Sequence, residues 1–350
     1  TNKALIKYCK IFRKKKVIFI DTEFERKSTY YSKLSFITIS DGSKIIIIDC
    51  LMNKISLNPI QEIISNKQIT KVIHGSQQDL EIFKNMNIHV QSIFDTQIAA
   101  QFCGYENAPS YANLVNNICK IKIDKKLQNS DWLKRPITKN MIQYLSLDVK
   151  YLKKIYKNFC VKLNNNKNYK YFDEEMKNIN QESDLIASSI IRRKIDYGDI
   201  KLKNFQNLLK LRNEIASTKN IPKNWVFKDE NIVRNIEKKK YLEISKNKNL
   251  SKKEKIKIIK NLKKIKLKTK KKKLNNNIFK IAELIKNEIS KKYQISEQLI
   301  STRSEIKLYL QNKVKKKSNW RNKLFYKKLD KLFLTGTKIK IRKDSLIFIN

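Results

Sequence analysis

Four consecutive apolar residues, Val17-Ile18-Phe19-Ile20, run straight into Asp21-Thr22-Glu23, and this juncture constrains the fold more than any other stretch of the chain. An apolar, β-branched run of this length reads as a buried strand. Side chains alternate across a strand, so Asp21 and Glu23 project from one face at its carboxyl end. Two carboxylates held side by side raise one another's pKa unless a cation sits between them. A hard divalent ion, Mg²⁺ or Mn²⁺, meets that need because it takes carboxylate oxygens. Taken alone, the pair reads better as a strand ending in a solvated polar turn. The remaining acids shift that balance.

Asp79 follows a second short apolar run, Lys71-Val72-Ile73-His74, that reaches Gly75. Ser76 is placed to cap a helix there, with Asp79 in its first turn near the positive end of the helix dipole. Asp148 lies in Tyr144-Leu145-Ser146-Leu147-Asp148, where the apolar spacing is helical and Tyr144 and Asp148 share a face. Each feature alone suits ordinary capping or a structural hydrogen bond. Together they make four acids and one tyrosine, each at the edge of an element.

The order Asp-x-Glu, Asp, Tyr-x-x-x-Asp resembles the signature of DEDDy-type 3′-5′ exonucleases with a ribonuclease H-like fold. The likeness extends to Asp21-Thr22-Glu23-Phe24, Thr29-Tyr30-Tyr31, Asp41-Gly42, His74-Gly75, Asp95-Thr96-Gln97, Phe102-Cys103-Gly104, Ser130-Asp131-Trp132-Leu133 and Arg135-Pro136. This set is similar to ribonuclease D from about Val17 to Tyr156, and more weakly beyond. The resemblance implies two divalent ions, Mg²⁺ or Mn²⁺, with Asp21 bridging both and Glu23, Asp79 and Asp148 completing the shells. It implies that Tyr144 orients the attacking water through its hydroxyl. The implied substrate is RNA, notably the 3′ ends of tRNA precursors. A DNA-directed exonuclease of the same superfamily is the rival enzyme, and a non-catalytic basic RNA-binding protein the rival of another class. The complete set of acids with Tyr144 argues against the latter.

Further substrate contacts remain open at this stage. His74 suits either a hydrogen bond to the terminal nucleotide or a satisfied core histidine, and His89 a structural or exposed site. Tyr30 and Tyr31 suit stacking on a base or filling a strand edge. Arg135 suits a phosphate contact and Trp132 a core position, in a segment that also holds Lys125. Arg212, Lys223 and Trp225 are the candidates for RNA contact in the second half.

Apolar strands and helices alternate through the first half, with Asp41-Gly42-Ser43 as a hairpin turn between Leu34–Ser40 and Lys44–Asp49. Thr138 reads as the N-cap of the helix carrying Tyr144 and Asp148. After the polar run Asn164-Asn165-Asn166-Lys167-Asn168 the pattern becomes almost wholly helical. There Arg212 with Ala216, Ile221-Pro222 and Val226 with Asp229 resemble an HRDC domain, a small helical nucleic-acid-binding module, and Asp229–Ile232 reads as a helix start. The stretch from Ile278 to Arg303 resembles a drifted second copy. The expected architecture is thus an α/β ribonuclease H-like mixed sheet flanked by helices, followed by all-α HRDC-like domains. Its divisions are an exonuclease domain at 1–168, linker helices with a first HRDC-like domain at 169–272, and a degenerate second at 273–350.

Net charge is +46, with 26 basic against 13 acidic residues up to 160 and 52 against 19 afterwards. Such an excess suits a polyanionic partner, since Lys and Arg facing phosphates release counterions. A chain saturated with Lys, Asn and Ile also fits compositional drift, so charge alone identifies no partner. Five scattered cysteines without metal spacing read as reduced. No run approaches a membrane span or a leader. A soluble, cytoplasmic, monomeric protein is the expectation.

Overall fold

The structure is a computed structural model that describes residues 1–52, 55–124, 126–179, 199–228, 241–265, 276–310, 319–334, 338–342 and 345–349. Lys125, Asp229–Ile232 and the 272/273 division lie outside them.

Five strands form one mixed sheet: β1 (Val17–Glu25), β2 (Lys33–Ser40), β3 (Ile45–Asp49), β4 (Thr70–Ile73) and β5 (Ile93–Asp95), in the order β3-β2-β1-β4-β5. β1 is central, antiparallel to β2 and parallel to β4. The hairpin β2–β3 turns at Asp41-Gly42, where Asp41 Oδ1 accepts from the backbone N–H of Ser43 and Lys44 and Gly42 takes the left-handed φ of +84°. Along β2, every residue from Leu34 to Ser40 is buried, so helices cover both faces of the sheet. These are α1 (Asn2–Phe12), α2 (Asn58–Ile64), α3 (Gln77–Asn85), α4 (Thr96–Gln101), α6 (Lys139–Lys150), α7 (Leu152–Asn165) and α8 (Tyr169–Asn178). The short α5 (Tyr111–Leu114) continues into a π-helical turn at Val115–Cys119.

Packing beyond α7 follows two patterns. Phe172 and Met176 of α8 belong to the core of the sheet, and so do residues of the later helices: Ile285 and Ile289 of Asn276–Tyr293, then Trp320, Phe325 and Leu329. The Trp320 ring lies 5.1 Å from Phe102. Glu175 accepts from both terminal nitrogens of Arg321 and from Trp320 Nε1, each at 2.7 Å. Buried Asn168 ties two helix ends at this joint, donating to the carbonyls of Phe102 and Tyr293. The helices Asp199–Thr218, Lys223–Val226, Leu242–Lys246 and Lys252–Lys263 instead share a core of their own, built on Leu208, Ile215, Val226, Ile258 and Leu262. Helix Lys252–Lys263 starts on a capping box between Ser251 and Glu254 and carries Lys260 and Lys263 in its last turn.

The second half is almost wholly helical among its described residues, as the sequence pattern implies, with one addition: Lys338–Arg342 and Ser345–Ile349 pair as antiparallel strands. The alternation Lys338-Ile339-Lys340-Ile341 has the period of a strand, a signal masked by the surrounding lysines. Among the described residues, no helix is long and apolar enough to cross a membrane.

Candidate active site

Asp21 and Glu23 lie within β1 rather than beyond its end, since the strand continues to Glu25. Parallel pairing with β4 stops at Phe19 opposite Val72, whereas pairing with β2 carries on through Asp21 opposite Thr38 and Glu23 opposite Phe36. The acids therefore stand on a strand extension with one open side. A register shift between Glu23 and Phe24 re-aims the chain just past them.

The open side is filled by the turn from β4 into α3. Gly75 adopts φ +65°, a conformation that side chains rarely tolerate, and lets the chain reverse there. Its N–H donates to Asp95 Oδ1 at 3.1 Å, and both the N–H and the hydroxyl of Ser76 donate to Asp95 Oδ2 at 2.7 and 2.8 Å. Ser76 occupies the N-cap position of α3, yet its side chain makes no capping bond because Asp95 takes its hydroxyl. Asp95 also caps α4 through Gln97 N–H at 2.8 Å. One buried carboxylate thus fastens two helix starts, and Asp79 arrives in the first turn of α3. The Thr22 hydroxyl donates to Asp79 Oδ1.

Helix α6 supplies the opposite wall. Thr138 caps it by accepting from Met141 N–H at 3.2 Å. Its buried residues Met141 and Leu145 pack with Phe36 and Trp132, which sets the face carrying Tyr144 and Asp148 toward β1. Tyr111 fastens the junction with α7: its hydroxyl donates to the Leu147 carbonyl at 2.9 Å and accepts from Tyr151 N–H at 3.2 Å.

Asp21, Glu23, Asp79, Tyr144 and Asp148 all line one open cleft of about 710 Å³. Carboxylate oxygens of Asp21, Glu23 and Asp148 lie within 4.8 Å of one another, while Asp79 is turned toward Thr22. Burial, followed by the charges of Asp148, Asp79 and Glu23, holds Asp21 well above the usual carboxylate range. Burial and the charges of Asp148 and Asp79 push Glu23 up to about 9. Burial raises Asp148 to about 7, and Asp79 also to about 7 against the opposing Thr22 hydroxyl. Burial and the charges of Asp148, Glu23 and Asp21 raise Tyr144, so its hydroxyl keeps its proton. Asp148 Oδ2 is buried with no hydrogen-bond partner among the described residues. Clustered hard oxygens, like-signed neighbours and an orphaned buried oxygen together suit a divalent cation.

The other candidates divide. His74 lines the cleft, with Nδ1 3.0 Å from Thr96 Oγ1 and its ring 5.7 Å from Tyr111. His89 is exposed. Trp132 is buried as core and also reaches the cleft, 5.7 Å from the Tyr144 ring. Arg135 does not line it. Its guanidinium forks onto Asp49 at 2.7 and 2.8 Å and lies 4.4 Å over the Phe36 ring, so a phosphate contact is replaced by a structural one. Arg212 is 3% exposed and sits over Phe227, which removes it from any RNA-facing surface. Tyr30 and Tyr31 lie at the junction with the 199–265 helices rather than on a strand edge, Lys223 meets the Tyr30 ring there, and Trp225 is exposed on the same short helix as Lys223. Thr22, Asp95 and Tyr111 were not singled out in the sequence as working residues. Asp95 carried a signal, Asp-Thr-Gln opening a helix, whereas the hydroxyl contacts of Thr22 and Tyr111 depend on distant elements and carried none.

Residues 1–164 match the 3′-5′ exonuclease domain family. The chain is 30% identical over 243 residues to a ribonuclease D from Jannaschia sp., covering 66% of this chain and 62% of that one. It is 37% identical over 153 residues to ribonuclease D from Escherichia coli, covering 43% and 40%. Against these relatives it thus spans less than two thirds of their length. The crystal structure of Escherichia coli RNase D, described as an exoribonuclease involved in structured RNA processing, superposes with a TM-score of 0.74 at 26% identity, over 96% of this chain and 97% of that one.

Proposed function

We propose that the chain is a member of the ribonuclease D family and works as a metal-dependent 3′-5′ exoribonuclease that trims structured RNA, notably the 3′ ends of tRNA precursors. The observation that carries this reading is the half-buried cluster of Asp21, Glu23 and Asp148, whose carboxylate oxygens lie within 4.8 Å of one another and whose like charges help hold Asp21 above the usual carboxylate range. Two divalent ions, Mg²⁺ or Mn²⁺, would be held by Asp21, Glu23, Asp79 and Asp148, and would supply activation of water and neutralisation of phosphoryl charge. Asp21 is central in this assignment because its carboxylate feels all three other acids. Thr22 keeps Asp79 oriented. Tyr144, held protonated, offers its O–H to the attacking water and aligns it with the scissile phosphorus. Trp132 beneath the Tyr144 ring limits how that hydroxyl can swing.

A 5′-labelled, 3′-extended tRNA, incubated with Mg²⁺ or Mn²⁺ and separately with EDTA, tests the reading. Stepwise shortening from the 3′ end that EDTA stops is the expected result. Cleavage restricted to DNA would move the substrate assignment to the rival enzyme. Tight RNA binding with no shortening under either ion would leave only a binder.

A further inference from the structure

Two large aromatic side chains stand in water close to one another's supports: Tyr31 is 42% exposed and Trp225 is 46% exposed. They come from opposite halves of the chain, and Asn220, five positions before Trp225, meets the backbone of Tyr31. Its Oδ1 accepts from the backbone N–H of Tyr30 at 3.1 Å and of Tyr31 at 3.2 Å. Asn220 itself has φ +49°, a left-handed conformation that asparagine tolerates, and the turn leads through Pro222 into the helix carrying Trp225. Lys223 Nζ lies 5.2 Å from the Tyr30 ring, which meets Tyr31 edge-on at 4.9 Å. Asn247 Nδ2 donates to the Trp225 carbonyl at 2.8 Å and steadies that helix from behind. On the other side the loop runs back to the acids. Arg26 and Lys27 line the cleft, and Arg26 Nε donates to the Tyr30 carbonyl at 3.3 Å while its fork grips Glu81.

We propose that Tyr31, Lys223 and Trp225 form an entry track for the single-stranded part of an RNA substrate upstream of its 3′ end. This rests on the exoribonuclease reading above and specifies how that enzyme holds its substrate. Tyr31 and Trp225 stack on bases, and Lys223 meets a phosphate between them. An enzyme that removes nucleotides one by one meets every sequence in turn, and stacking is tolerant of sequence because every base has a π-face. The lysine-rich surroundings attract the backbone without placing it, whereas two aromatic rings, on a loop held by Asn220 and on a helix held by Asn247, fix where the strand enters.

The chain has three tryptophans, and Trp132 and Trp320 are 2% and 0% exposed, so water-exposed emission reports Trp225. An RNA oligonucleotide titrated into the full chain in EDTA should quench that emission. Trp225→Phe separates this signal from Trp132 in the cleft, and the quench should disappear in it. In turnover with Mg²⁺, Tyr31→Ala and Trp225→Ala should each raise KM for a long single-stranded tail roughly tenfold while kcat holds, with the KM effect shrinking as the RNA is shortened to a dinucleotide. A quench that persists in Trp225→Phe, or a wild-type KM in both alanine variants, overturns the track. A wild-type protein that hydrolyses no RNA removes the enzyme reading instead, and the titration in EDTA then still decides whether RNA lies on Trp225. Thermal unfolding of each variant checks that these exposed substitutions leave the fold intact.

Discussion

The cleft and the helix Lys252–Lys263 both concentrate charge, and they do so under opposite physical terms. In the cleft, Asp21, Glu23, Asp79 and Asp148 are drawn out of water beside one another, and all four are held above the usual carboxylate range. Nothing in folding rewards that arrangement. In the helix, Lys257 and Lys260 point into solvent while Ile258 and Leu262 turn inward, so each lysine costs the fold little. Buried like charges must therefore be specified position by position, and solvated charges can accumulate by composition. A functional reading is strong where charge opposes folding and weak where charge is free to drift.

The sharpest way to break this contrast is Asp21→Asn. Hydrolysis should fall by roughly three powers of ten or more, because activation of water is lost, while RNA affinity measured by filter binding stays near wild type. Near-normal turnover in a folded Asp21→Asn protein would mean that the buried acids are not catalytic. Next in size is Tyr144→Phe, expected to slow turnover on the order of 10²-fold through lost alignment of water. Calorimetric titration with Mn²⁺ should show little change in metal affinity; a loss as complete as in Asp148→Asn would assign Tyr144 a different role.

Stability against pH gives a smaller signal with a defined sign. Asp79 and Asp148 near about 7, and Glu23 near about 9, lie above the values these groups have in an unfolded chain. Their contribution is complete below the ordinary carboxylate range and is lost as pH rises through the folded values. In EDTA the melting temperature should thus fall between pH about 4 and about 9, most steeply up to about 7, and Mg²⁺ should flatten the decline. A flat profile in EDTA would contradict the strained cluster. The smallest effect belongs to the helix: Lys257→Ala or Lys260→Ala should lower the slope of log affinity against log salt by at most about one, uniformly across RNA sequences. A sequence-dependent loss from either would show that these lysines are placed rather than accumulated.

The two later helical segments differ from each other as well. The 276–329 helices enter the core of the sheet through Trp320 and the Glu175–Arg321 pair, whereas the 199–265 helices keep a separate core and reach the exonuclease domain through contacts such as Asn220. Both segments look alike as sequences, rich in Lys and Ile at helical spacing. Which apolar face meets which neighbour is a long-range property, and a repetitive helical pattern cannot encode it locally.

Much of the sheet was legible because its signals are local. The run Val17–Ile20, the hairpin turn at Asp41-Gly42 and the cap at Thr138 each announce an element within a few residues. The acids were legible as a spaced set for the same reason, and the structure brings all five signature residues into one cleft. Less legible was the hairpin at 338–349, hidden by lysines on its own strands. Nor could spacing reveal that Ser76 surrenders its hydroxyl to Asp95, a residue nineteen positions away.

The sequence by itself determined the order of strands and helices and the residue types available for metal chemistry, since alternation and helical period are carried by neighbours along the chain. Tertiary structure alone decided which polar and aromatic residues are free to meet a substrate. Arg212 reads as an RNA contact and Arg135 as a phosphate contact until packing lays one over Phe227 and forks the other onto Asp49. Tyr31 and Trp225 remain in water, the first on a loop that Asn220 of the later helical segment holds. A guanidinium looks the same in any sequence; whether it is spent on a buried partner depends on what the fold sets beside it.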